Sequence, residues 1–188
     1  MTVYEALIRV DFVGAVVLLV IAPLVLLAGS VSVPAVQNRL LAYWRASALL
    51  GITVYLWAGQ VSGGFVTGFA AHVAILLSLW RGDVLSPRRG PPPSSAQGWW
   101  ATAFQYWLWA ASIYVTIGLA CTLFLLPCAF KAPSAVCQAW YGPPQQYARW
   151  LHPNASPMQL GSYGGWALAI YAVYGGAWAL QLTRSDSE

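Results

Sequence analysis

"RLLAYWRASALLGITVYLWAGQVSGGFVTGFAAHVAILLSLWR", residues 39–81, decides the fold. It holds two predominantly apolar runs, 42–60 and 63–80, each close to the roughly 20 residues that cross a hydrocarbon core as a helix. Only "QVSGG" (60–64) joins them, so the two runs read as a tight helical hairpin whose glycines permit the reversal. Trp44-Arg45 opens the hairpin and Trp80-Arg81 closes it. An aromatic ring at the interface, followed by a cation reaching the headgroups, suits one membrane face at both mouths.

Working outward, three more runs have the same character: 12–31, 100–126 and 162–182. The fourth run in chain order is long enough to tilt or to project beyond the bilayer, and Pro23 should bend the first. Of the 188 residues, 59% are hydrophobic and 7% charged, against roughly 25% charged in a soluble domain. The 11 Trp and 10 Tyr suit the membrane–water interface. The expected fold is therefore all-α: one integral membrane domain, 1–188, built as a transmembrane bundle of about five helices. The net charge of +4 comes from scattered arginines with no basic patch, which excludes a nucleic-acid partner. "MTVYEALIRVDF" lacks the basic start of a secretory signal.

Five spans distribute the loops over two faces. Arg39, Arg45, Arg81, Arg88, Arg89 and Arg184 fall on one; Arg9, Lys131 and Arg149 fall on the other, beside Glu5 and Asp11. The positive-inside rule makes the first face cytoplasmic, with the N-terminus lumenal or periplasmic and the C-terminus cytoplasmic. The Pro- and Ser-rich connection 81–99 is then an irregular cytoplasmic loop. The segment 127–161 lies on the non-cytoplasmic side, where disulfides persist. Two of the three cysteines, Cys128 and Cys137, flank a short polar stretch there and are expected to pair. Such a ring contributes roughly 2.5–3 kcal/mol on the chain-entropy account; the alternative is two free thiols. Cys121 reads as a small apolar filler in the fourth span. "CQAWYGPPQQYARWLHP" (137–153) mixes aromatic and polar residues as a short amphipathic element in the outer interface does.

The chain resembles a multi-pass membrane protein family of cyanobacteria, through "RLLAYWRASALLGITVYL", "GGFVTGF", "SLW", "CAF…CQAW" and "YGGAW". The resemblance covers most of the chain. It implies a setting, a thylakoid or plasma membrane with a lumenal or periplasmic outer face, and does not supply a mechanism.

Chemistry-bearing residues inside the spans are few. No Asp, Glu or Lys falls well within one, since Asp11 sits at an edge. Ion-coupled transport usually needs such groups. There is no His-Glu-x-x-His motif, acidic pair or nucleophile beside a base, so no catalytic residue and no metal site is expected. His72 stands near the middle of the third span, with Gly64 and Gly68 at four-residue spacing on the same helix face. Small residues at this spacing let helices approach closely, and His72 then hydrogen-bonds across a seam. Alternatively His72 is the single protein ligand of a chlorophyll magnesium, with Gly68 clearing space for the ring. Trp100, Phe104, Trp107 and Tyr114 form an aromatic stripe on the fourth span. Tyr171, Tyr174 and Trp178 do so on the fifth, beside a smooth face of Gly165, Ala169, Ala172, Gly176 and Ala179. These stripes either pack the bundle or line a groove for carotenoid, chlorophyll or lipid tails, with Trp107 a pigment contact. Arg45 snorkels to headgroups or meets a lipid phosphate or a partner carboxylate.

The expected function is that of a non-catalytic subunit or assembly factor of a photosynthetic membrane complex (photosystem type). Its partners would be membrane lipids and other membrane subunits, and its cofactors chlorophyll and carotenoid. The alternative is a small transporter or channel, which would need Thr53, Thr67, His72, Gln105, Ser112 and Thr116 to converge on one path.

Overall fold

A computed structural model describes residues 3–82, 98–131 and 134–185, with side chains to Gly175. Most of the expected cytoplasmic loop, including Arg88 and Arg89, lies outside the described residues, as do the side chains of Gly176, Trp178, Ala179 and Arg184. All regular structure among the described residues is helical. The first helix runs as α1 (Val3–Val16), a π-helical turn (Val17–Ile21) and α2 (Ala22–Gly29). The hairpin is α3 (Pro34–Ala58) and α4 (Gly64–Arg81). Then follow α5 (Trp99–Leu125), a 3-10 turn (Leu126–Ala129), the short α6 (Ala135–Ala139) and α7 (Gly142–Leu151), and α8 (Pro157–Ser185). Four helices among the described residues are long and apolar enough to cross a membrane: Val3–Gly29, Pro34–Ala58, Gly64–Arg81 and Trp99–Ala129. The fifth expected span falls within the 29-residue α8.

α3 is the hub, packed against α4, α8, α7 and α2, while α5 lies against α4 and α2. It starts at Pro34, well before the apolar run at 42, because its polar first turns have work at the neighbours' ends. Gln37 Nε2 donates to Leu27 O (3.1 Å) in the last turn of α2. Arg39 Nη1 donates to Ser78 O (3.4 Å) and Leu79 O (3.3 Å) in the last turn of α4. Carbonyls at a helix C-terminus lack intrahelical donors, so these side chains act as caps.

Pro23 reshapes the first helix. It has no N–H and so gives nothing to the carbonyls four and five residues back, those of Leu19 and Leu18. Those residues lie in the π-helical turn, and side chains from two other helices satisfy them. Tyr43 Oη of α3 donates to Leu19 O (2.5 Å). Trp107 Nε1 of α5 donates to Leu18 O (2.9 Å). The two rings meet edge-to-face, centroids 5.0 Å apart. Around them Leu40, Ile75, Leu79, Phe104 and Val115 form the main core.

The hairpin turn does not reverse as its glycines suggest. Gln60 takes the left-handed conformation, with φ 58°. Gln60 N donates to Trp57 O (2.9 Å) and Val61 N to Leu56 O (2.8 Å), the two bonds of a Schellman ending with Gln where glycine is usual. The glycines around it serve close approach instead: Gly59 crosses the Gly161 backbone of α8 so tightly that no Cβ fits.

At this same end of the bundle, Cys128 and Cys137 form the expected disulfide. Both are buried with Trp57, Phe65, Leu125 and Tyr141, where burial pushes the Tyr141 hydroxyl above its ordinary pKa. Ser134 caps α6, accepting from Cys137 N (3.3 Å). α7 opens with Pro143 and Pro144, which suit a first turn. It is amphipathic as expected, burying the prolines and Ala148 while leaving Trp150 80% exposed. The smooth Gly165–Ala169–Ala172 face of α8 points outward; α8 packs on α3 through Gly161, Gly164 and Leu168.

Gln60→Gly removes a Cβ from a left-handed residue and should stabilise the detergent-solubilised protein by about 1 kcal/mol, read as a rise in thermal midpoint; a fall would show that the turn is not left-handed there. Tyr43→Phe strands the Leu19 carbonyl in an apolar core and should cost about 1–3 kcal/mol in the same assay. An unchanged midpoint would mean that the carbonyl has another donor.

Candidate functional site

The first helix is fastened to α3 and α5 at its π-helical turn. Toward its N-terminus it leans on other elements. Phe12 meets Tyr147 of α7 edge-to-face (5.8 Å), and the Tyr4 hydroxyl accepts from Trp140 Nε1 (2.8 Å). The Tyr114 hydroxyl of α5 reaches both the backbone carbonyl and Oδ1 (2.8 Å) of Asp11. A cleft of about 430 Å³ is left between this part of the first helix and α3. Its floor is His72, Gly118 and Thr122, and Pro143, Tyr147 and Leu151 roof it at the disulfide end. Along α3 it runs from Tyr43 to Trp57, a rise of about 20 Å.

The lining is mostly apolar, and its serine and threonine hydroxyls are turned back onto their own helices. Ser47 Oγ donates to Trp44 O (3.2 Å) and Thr122 Oγ1 to Gly118 O (2.9 Å). Such local bonds satisfy a hydroxyl without offering it to the cavity. The indole N–H groups of Trp44 and Trp57, both lining residues, are buried without an acceptor.

His72 lines the cleft but is not open to a broad ligand. Its Nδ1 lies 2.7 Å from Gly68 O. A carbonyl only accepts, so in the neutral ring Nδ1 carries the proton and Nε2 the lone pair. Nε2 faces Gly118 of α5 so closely that a Cβ there would overlap the ring. The Gly64–Gly68 surface beside His72 is covered by α3: Gly64 lies against the Trp57 ring and Gly68 against Thr53 and Trp57. Thr53 Oγ1 donates to Thr67 Oγ1 (2.9 Å) across the same seam. Gly68 therefore serves the helix seam and does not line the cleft.

The other anticipated residues are dispersed. Trp107 is a core residue whose N–H is committed to Leu18 O, and it does not line the cleft. The α5 stripe faces the core through Phe104 and Trp107, with only Tyr114 reaching the cleft. Arg45 is exposed on α3, about 9 Å further along the helix than Arg39. Its carbonyl accepts from Tyr171 Oη of α8 (3.2 Å). The polar side chains do not converge on one path: Thr53 and Thr67 pair with each other, Ser112 bonds Leu108 O (2.7 Å) and Thr116 bonds Ser112 O (2.7 Å). Of the six, His72 alone lines the cleft.

On the α8 side of α3 lies a second, more open cavity of about 470 Å³. Its rim carries a Tyr55 Oη···His152 Nε2 hydrogen bond of 2.7 Å. Gly51 and Tyr55 line both cavities. One weak local sign marks this place, an isolated glycine inside the α3 pattern. Gly118 and the partnership of Tyr55 with His152 carried no sign, since both depend on which helices meet.

The family model described as "Protein of unknown function (DUF3177)" matches residues 5–186, and the chain belongs to that family. No curated protein and no solved structure matches it.

Gly118→Ala should press the new methyl into the His72 ring and cost about 1–3 kcal/mol of stability. His72→Ala in the same chain should remove most of that cost. Strictly additive losses in this double-mutant cycle would show that the ring and Gly118 do not meet.

Proposed function

We propose that this member of the DUF3177 family is a non-catalytic membrane protein that holds one long apolar molecule in the α1–α3 cleft, as a subunit or assembly factor of a larger membrane complex. The observation that carries the reading is the cleft: long, lined mostly by apolar side chains, and roofed by a helix anchored through a disulfide. Ligand sites of a few hundred Å³ with mostly apolar walls are the usual form of small-molecule binding places. The tight contact of His72 with Gly118, and the covering of Gly68 by α3, favour a slender occupant, an acyl or isoprenoid chain such as a carotenoid, over a chlorophyll ring held at His72. The disulfide end faces the oxidising, non-cytoplasmic compartment, with the Arg39 and Arg81 end toward the cytoplasm. The resemblance to a cyanobacterial membrane family supports reading that compartment as the thylakoid lumen or periplasm, and the complex as a photosynthetic one.

Protein taken from native membranes in mild detergent should carry about one equivalent of an extractable long-chain molecule, identified by mass spectrometry and absorption, and should co-purify with other membrane subunits. Ala48→Trp, which places an indole in the cleft from an exposed position on α3, should lower the bound molecule severalfold without unfolding the protein. Parent protein that is colourless and free of extractable molecules would overturn the reading.

A further inference from the structure

We propose that the occupant is a two-chain membrane lipid with an anionic head group, one chain in each cavity flanking α3. This rests on the reading of the cleft as a binding place for an apolar molecule and specifies its chemistry. The two cavities, about 430 and 470 Å³, are similar in size and lie on adjoining sides of one helix. They meet at Gly51 and Tyr55, one turn apart, and a Cβ at Gly51 would find no atom within 4 Å. The wall between them is thus lowest where glycine stands. A forked apolar molecule straddles such a saddle, whereas a single chain fills only one side.

The fork's position follows from the polar groups. Tyr55 and His152 are hydrogen-bonded at the rim of the second cavity, beside the α7 roof of the first. Arg149 is exposed in the last turn of α7, and His152 N bonds Ala148 O (2.7 Å), continuing that turn. Arg149 and His152 are thus three apart on one side of the helix end. Asp11, the acidic residue lining the first cavity, is engaged by Tyr114 on the α5 side. Arg149, next to exposed Trp150, places a cation at the level where a headgroup sits, and an anionic phosphate complements it.

The test uses the intact chain in mixed micelles with a phosphatidylglycerol carrying a photoreactive diazirine midway along one acyl chain, the two positional isomers being used separately. One isomer should label the first helix around Phe12–Val20, and the other α8 around Tyr163–Ala167. Unlabelled phosphatidylglycerol should abolish both signals. Its single-chain lyso form should compete at least about tenfold less well, and diacyl phosphatidylcholine less well than phosphatidylglycerol. Gly51→Phe, which projects into open space and should leave helicity and thermal midpoint unchanged, should lose both labels together. Labelling confined to one cavity, or equal competition by the lyso form, would overturn the two-chain occupant while leaving a single-chain ligand in place. Equal competition by phosphatidylcholine would overturn the anionic head. No saturable labelling, with nothing extracted from the native protein, would overturn both this inference and the function on which it rests.

Discussion

A proline inside a membrane helix leaves carbonyls without donors, and no water is at hand in the hydrocarbon core to replace them. Pro23 does this to Leu18 and Leu19, and the bundle is arranged around the remedy. Tyr43 and Trp107 reach the two carbonyls from α3 and α5, and their rings pack against each other at the centre of the core. The first helix is consequently clamped to its neighbours at one level along its length. Below the clamp α2 packs on α5 and α3; beyond it α1 is free to lean away, and the space so left is the cleft.

A leaning helix needs a second attachment, and the disulfide end supplies it. Cys128–Cys137 fixes the chain between α5 and α6 in a buried aromatic cluster, so that Trp140 lies against Trp57 (6.0 Å) and Tyr141 against Phe65 (5.6 Å). From that platform Trp140 holds Tyr4, and Tyr147 holds Phe12. The cleft is therefore bounded by a proline-driven tether at one end and a covalently pinned roof at the other, while α8 packs on an adjoining side of α3 and lines the second cavity.

The parts of this arrangement legible in the sequence were those set by composition and local pattern. Apolar runs of bilayer length, paired cysteines in a polar loop, the amphipathic stretch after Cys137 and a disturbed helix at Pro23 each need only a short window to read. Features set by the choice of neighbour were not legible. The early start of α3 depends on Gln37 and Arg39 meeting the ends of α2 and α4. The left-handed residue of the turn is Gln60, while Gly59 and Gly64 beside it are taken up by close contacts with Gly161 and Trp57, which no local pattern announces. Gly68 and His72 do share a face, as their spacing requires, but α3 covers the glycine and α5 abuts the histidine. Periodicity states which residues lie together on a helix; it does not state what lies opposite them.

The tether is tested most directly by a distance. Spin labels at Val10 on α1 and Val61 in the hairpin turn, both exposed, report the separation across the mouth of the cleft. With Cys121 replaced and the disulfide intact, the parent protein should give one narrow distance distribution. The Tyr43→Phe/Trp107→Phe chain should give a broad one, because the first helix has lost its clamp. The same narrow distribution in both proteins would contradict the claim that these two side chains set the position of the helix and, with it, the cleft.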